Sequence, residues 1–312
     1  MARVYFQRAR GGYRPVRGEV VRQVQVELKA AGSNPGEIDG IYGSGTESAI
    51  MDFQRMHGIE ADGKITDEVW TRLMGAAPPA ILDRCLQLTG DFEGHGFQKV
   101  AGNFDGAGLT WGIIGFTLYR GEIGRIMEEI RQNFPDLINQ AFGDLAHELF
   151  EVLGKSRAEQ IDWANGISIG PGKYRVKRPW EKAFKTLGSF PDVQAVQLRR
   201  VRPYWDIALR DAERFGLTTE RGIALCFDIA VQNGGIDDDE ERQIRRRLAD
   251  HPGASERDTR ILIADVVAEN SSPQYMEDVR QRKMTIATGE GVVHGAWYAT
   301  MDWGIAEYPW ET

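Results

Sequence analysis

Residues 105–116 read DGAGLTWGIIGF, and the stretch leading to them, 91–104, reads DFEGHGFQKVAGNF. Glycines at 106, 108, 112 and 115 are too closely spaced for a helix interior. The spacing predicts a tight turn opening at Asp105-Gly106, then a short strand or buried extended segment. Such a turn can hold a carboxylate at the edge of a cleft. A second carboxylate, Glu93, lies upstream, after a helix expected to end near Thr89–Gly90. Two carboxylates facing each other across a cleft can hydrolyse a glycosidic bond. One, kept protonated by an apolar setting, gives its proton to the leaving oxygen, and the other activates water or attacks the sugar. Without the neighbouring sequence, Glu93 would be a loop acid and Asp105 a turn former.

DGAGLTWGIIGF resembles the signature of the family 46 chitosanases, members of the lysozyme-like superfamily. Their pattern is Asp-Gly-Arg-Gly-Tyr-Thr-x-Gly-Ile-Ile-Gly-Phe, preceded by a catalytic Glu. The resemblance implies that Glu93 is the general acid, that Asp105 helps to activate water with Thr110 positioning it, and that the anomeric configuration inverts. The motif's Arg and Tyr are Ala107 and Leu109 here, and the Glu–Asp interval is shorter than in the family, so Asp91 stands in reserve and as a substrate contact. A second resemblance lies at FDIAVQNG, 227–234, against the family's Tyr-Asp-x-x-Val-x-His-Gly. It implies that Asp228 belongs to an internal Asp–Arg network holding the catalytic acid, with Arg280 in YMEDVRQRKM as its partner. Read from the residues alone, Asp228 lies in a helix apolar nearly all round and needs a cationic or hydrogen-bonding partner. Gln232 and Asn233 end that helix as substrate contacts or as caps.

The 312 residues have room for two domains. A net charge of −8 argues against a nucleic-acid binder, and no apolar run approaches the roughly 20 residues that span a bilayer. The N-terminus lacks the apolar core of a secretory signal, so synthesis is expected in a host bacterial cytoplasm, with action on the wall after release. Cys85 and Cys226 sit in apolar helical patterns and are expected as buried thiols. Residues 1–17 hold Arg3, Arg8, Arg10, Arg14 and Arg17 and no acid. This basic arm is either a solvated tail or a contact for an anionic envelope polymer.

Residues 18–75 predict three helices: one with Val20, Val24 and Leu28 inward, one capped by Thr46 and carrying Ala49, Ile50 and Phe53, and one starting at Thr66 with Val69, Trp70 and Leu73. The order IDGIYGSGTESAIMDFQ…DGKIT…W resembles the type-1 peptidoglycan-binding module, which implies adhesion to glycan strand and stem peptide without chemistry. Ala76-Ala77-Pro78-Pro79 opens a stiff linker, 76–80, and residues 81–312 are expected to be the catalytic domain. That domain is expected to be mainly α, an α+β lysozyme-like fold of two lobes with a cleft and a small β element, beside the small three-helix N-terminal domain.

Other chemistries that cut the cell wall find no support in the residues. The histidines (His57, His95, His147, His251 and His294) are scattered, and His147-Glu148 lacks the second His of a zincin. No metal or cofactor is expected. The expected function is a monomeric, endolysin-like peptidoglycan hydrolase of bacteriophage type, a muramidase cutting the glycan strand. Chitosanase, lytic transglycosylase and a non-catalytic wall-binding protein are the competing readings.

Overall fold

The computed structural model describes residues 2–94 and 96–310. Histidine 95, one of the five scattered histidines, lies outside them. By contacts the chain divides into two compact units, Met1–Phe92 with Tyr204–Thr312, and Glu93–Pro203. The break expected at 76–80 is therefore not where the contacts divide. Residues 81–92 pack with the N-terminal segment and with the last third of the chain.

The first unit opens with β1 (Val4–Phe6), α1 (Glu19–Ala30), α2 (Ser44–Met56), β2 (Ile65–Thr66), α3 (Asp67–Met74) and α4 (Ile81–Phe92). The buried face of α1 is Val21, Val24 and Leu28, at i, i+3 and i+7, and Val20 is half-buried. Thr46 does not cap α2, because Gly43 occupies that position. Its hydroxyl, inside the first turn, donates to the Ile41 carbonyl and accepts from Gln25. Thr66 does cap α3, accepting from the Val69 N–H, and Gly75 closes that helix at φ 62°. The residues that carry the wall-binding resemblance are spent on internal bonds. The Tyr42 hydroxyl donates to the Gly63 carbonyl, Gln54 spans Asp62, Gly63 and Lys64, and Asp39 accepts from Gln25 and from the Ile41 N–H.

The expected free arm is instead part of this unit. β1 pairs with β2, Tyr5, Phe6 and Val16 are buried, and all five arginines are matched to carboxylates. Arg3 pairs with Glu220, Arg8 with Glu47, Arg10 with Glu290, and both Arg14 and Arg17 with Asp91. A segment with no acid of its own has found its counter-ions elsewhere in the fold.

The second unit holds β3 (Val100–Ala101), β4 (Thr110–Trp111) and β5 (Phe116–Thr117), a three-stranded antiparallel sheet in the order β3-β4-β5. Helices α5 (Glu122–Asn133), α6 (Pro135–Phe142), α7 (Leu145–Leu153) and α8 (Arg157–Ile167) follow, then the ladder of β6 (Ser168–Ile169) with β7 (Arg175–Val176), then α9 (Arg178–Leu187). Pro135 starts α6 and Gly143, at φ 50°, ends it, so the break at Pro135 is joined by a second one. Trp111, Phe142, Trp180 and Phe184 form the aromatic core. α10 (Pro191–Arg214) carries Pro203 inside it, and the contact division falls at that residue.

The rest of the first unit is α11 (Glu220–Asn233), α12 (Asp238–Ala249), α13 (Glu256–Glu269), α14 (Met276–Thr288) and the hairpin β8 (Glu290–Val293) with β9 (Ala296–Ala299). Thr219 caps α11 by accepting from the Gly222 N–H, and every residue from Gly222 to Val231 is buried. The mainly helical class with a small β element expected from the sequence is the class observed. Among the described residues no helix is long and apolar enough to cross a membrane.

Candidate active site

Asp105 sits on the loop between β3 and β4, exposed, its Oδ1 accepting from the Ala107 N–H at 2.9 Å. This Asx turn lets a short side chain replace a backbone bond. Asn103 pins the loop from below. Its Oδ1 accepts from the Gly108 N–H at 2.8 Å, its Nδ2 donates to Asn165, and its N–H donates to Ser168 Oγ. Gly108, at φ 80°, has no room for a side chain, since a Cβ would lie 2.8 Å from Ile161 and 3.1 Å from Leu118. The loop thus presents the carboxylate outward on a backbone held from inside.

Thr110 opens β4, opposite Ala101 on β3 and Thr117 on β5. It is 5 % exposed, and among the described residues its hydroxyl has no hydrogen-bond partner. A buried hydroxyl without a partner is costly, so such groups in native proteins point to a functional or solvent contact. The hairpin turn beyond it places Gly112 at φ 91° and Gly115 at φ 69°. This is the tight turn and short strand that the glycine spacing predicts.

Glu93 lies half-buried in the turn that follows α4. The chain after it is tied to the hairpin by Gln197 of α10, which is fully buried. Gln197 accepts from the Ile113 N–H at 3.0 Å and donates to the Phe97 carbonyl at 3.1 Å. One amide therefore links the Glu93 segment to the β4–β5 turn. Nothing in the sequence around Gln197 marks it. The only indirect signal is Gly112, where a Cβ would come within 2.5 Å of the Gln197 side-chain oxygen.

The remaining site candidates belong to the first unit. Asp91 is committed to structure, not to substrate. Its carboxylate accepts from Arg17 at 2.5 Å, Arg14 at 3.2 Å and the Tyr298 hydroxyl at 2.7 Å, with 6 % of the side chain exposed. Burial pushes its carboxyl up even so, against the pull of Tyr298 and Arg14. Asp228 is wholly buried and its partner is not Arg280. Arg282 donates to it at 2.7 Å, Lys283 at 2.6 Å and Thr89 at 3.0 Å. The buried face of α14 runs through Val279, Arg282, Lys283 and Ile286, whereas Arg280 points about 200° away from Arg282 at 100° per residue and pairs with Asp265. Burial alone would raise the Asp228 carboxyl, but the two cations more than offset it and hold it well below its ordinary value.

Gln232 is tied into the same cluster, accepting from Lys283 at 2.6 Å and donating to Asp278. Asn233 is exposed and lines a polar cavity of about 260 Å³ with Asp237 and Glu240, whose carboxyl burial pushes up to about 7. The Asp228 cluster also reaches the end of α4, since Thr89 lies on that helix and the Arg282 guanidinium stands 5.5 Å from the Phe92 ring. Phe92 immediately precedes Glu93. His294 bonds Asp278 at 2.6 Å, and Trp205 is a core anchor against Phe227.

The fold is similar to that of solved chitosanases, and the N-terminal helices match a separate family model. Residues 17–73 match the family model described as "Putative peptidoglycan binding domain". Among solved structures, the chain is similar to a mutant chitosanase from Bacillus subtilis MY002 complexed with GlcN, at 20% identity and a TM-score of 0.50. That match covers 69% of this chain and 88% of the other. It is also similar to a family 46 chitosanase from Gynuella sunshinyii in complex with chitotetraose, at 17% identity and a TM-score of 0.48, with the same coverage.

Proposed function

We propose that this protein is a peptidoglycan hydrolase that cuts the glycan strand, a muramidase working as an endolysin. The observation that carries the reading is the peptidoglycan-binding match at 17–73 on a chain whose fold is lysozyme-like. A domain that holds the enzyme on the wall raises its local concentration at that polymer. In this reading Glu93 protonates the leaving oxygen, Asp105 takes the proton of the attacking water, and the Thr110 hydroxyl, unpartnered among the described residues, orients that water. Inversion requires the two carboxyls to stand roughly 6.5–9.5 Å apart with substrate between them. The Asp228–Arg282–Lys283 cluster acts at one remove, by fixing the end of α4 from which Glu93 departs.

The test is a digest of purified peptidoglycan by wild type, Glu93→Gln and Asp105→Asn, with the reduced products read by mass spectrometry. Chains ending in reducible muramic acid, lost at least about a hundredfold in both variants, support the two-carboxylate muramidase. Anhydro ends with Asp105→Asn still active replace hydrolysis by transglycosylation. A wild type that releases nothing from wall but cleaves a glucosamine polymer makes it a chitosanase, and one that cleaves neither makes it a binding protein.

A further inference from the structure

The second unit contains a basic cavity that this chemistry has not used. It measures about 460 Å³ and lies between β3, β7 and α9, with Lys99, Tyr174, Arg175, Arg178 and Lys185 on its walls and Glu181 as the one acid. A shallower depression of about 380 Å³ continues it past Arg178 and adds Lys182. Residues 173–185, KYRVKRPWEKAFK, hold six basic side chains and one acidic. Glu181 is already bonded to Lys185 at 2.5 Å. Among the described residues Lys99, Arg175, Arg178 and Lys182 take part in no ion pair, in a chain where most arginines do.

The surplus is local. Residues 93–203 carry fifteen Lys and Arg against thirteen Asp and Glu, while the rest of the chain carries twenty-three against thirty-three. Nor do these cations serve their own helix. Arg178 is the first residue of α9, where the helix dipole disfavours positive charge. Cations that find no ion pair among the described residues, one of them set against the dipole, are placed for an external anion.

The cavity adjoins the candidate site within the same unit. β3 forms part of its wall and pairs with β4, and the Lys99 carbonyl accepts from the Gly112 N–H. Lys99 stands 5.8 Å over the Tyr174 ring, which packs at 5.1 Å against Phe104, the neighbour of Asp105. A Cβ on Gly94, the neighbour of Glu93, would lie 3.1 Å from the Lys99 ammonium. A glycan engaged at Asp105 has its substituents within reach of these cations.

We infer that the cavity is a subsite for carboxylate-bearing substituents of the glycan, the stem peptides of peptidoglycan. The inference rests on the proposed function and names what that site selects. Two guanidiniums, Arg175 and Arg178, offer paired N–H donors that fit a carboxylate. Exposed Ile169 and Tyr174 give apolar contact to the peptide's aliphatic parts. A chain of glucosamine ammonium groups meets repulsion at the same place.

The experiment uses the full chain and Arg175→Gln/Arg178→Gln, each also in a Glu93→Gln background so that binding is read without turnover. Calorimetric titration with a disaccharide-peptide and with the peptide-free disaccharide is compared, as is cleavage of wall with and without its stem peptides. Loss of the guanidiniums is expected to weaken disaccharide-peptide binding and raise KM on peptide-bearing strands about tenfold, steeply with salt, leaving peptide-free glycan unchanged. Equal weakening on peptide-free glycan, or none on either, overturns the inference. An effect confined to wall that retains phosphate polymers makes the anion a phosphate and overturns the stem-peptide assignment. If the wild type cleaves nothing, the proposed function falls, while the calorimetric comparison still decides whether the cavity binds the peptide.

Discussion

Asp228 and Arg280 show how much one side-chain direction decides. Removing the charge at Asp228 takes a buried counter-ion from Arg282 and Lys283, so Asp228→Asn is expected to cost about 3–5 kcal/mol in a denaturant titration. Arg280→Gln breaks a half-exposed pair and is expected to cost less than about 1 kcal/mol. The pH dependence has a definite sign. The folded carboxyl lies below its unfolded value of 3.8, so its contribution is complete above that value and is withdrawn as pH falls below it. Melting temperatures of the wild type should therefore drop on acidification through that range more steeply than those of Asp228→Asn. The need for a buried partner was legible in FDIAV, but its identity was not. Arg280 and Arg282 are two residues apart on one helix, and only the packed face tells them apart.

At the scale of elements, the β4–β5 hairpin is the part most open to sequence reasoning, because glycines at positive φ leave a spacing that helices cannot share. Its support is hidden for the opposite reason. Gln197 lies in an ordinary helical pattern, and its two backbone partners, at 97 and 113, are far from it in sequence. Replacing it with Leu leaves a part-buried N–H and a part-buried carbonyl unbonded, at a cost on the order of 1–2 kcal/mol. If the bridge holds the Glu93 segment against the hairpin, Gln197→Leu also lowers kcat on wall substrate with KM unchanged. A fall in stability with both kinetic constants intact would reduce Gln197 to packing. The helix caps divide along similar lines. Thr66 caps as its pattern implies, whereas Thr46 was legible as a polar residue at a helix start but not as a core one, since Gln25 claims its hydroxyl from another helix.

Across the whole molecule, composition is silent about partners distant in the chain. Five arginines without an acid read as a solvated tail or a polymer contact, yet each finds a carboxylate far along the chain. Deleting residues 2–17 removes β1 and leaves Glu220, Asp91 and Glu290 without the arginines of this segment. Calorimetry is expected to show a lower melting temperature for the unit that contains α4 and α11, not for the wall-binding helices alone. A melt unchanged by the deletion would restore the arm as an independent appendage.

The inward use of Tyr42, Thr46 and Gln54 bears on how such a module can change over time. The letters that make it recognisable are a record of folding constraint, and their replacement would be punished through stability whatever the wall outside. Its outward positions answer to no such constraint. Preference for one bacterial surface over another can drift there, generation by generation, while the signature stays the same and gives no warning of the change.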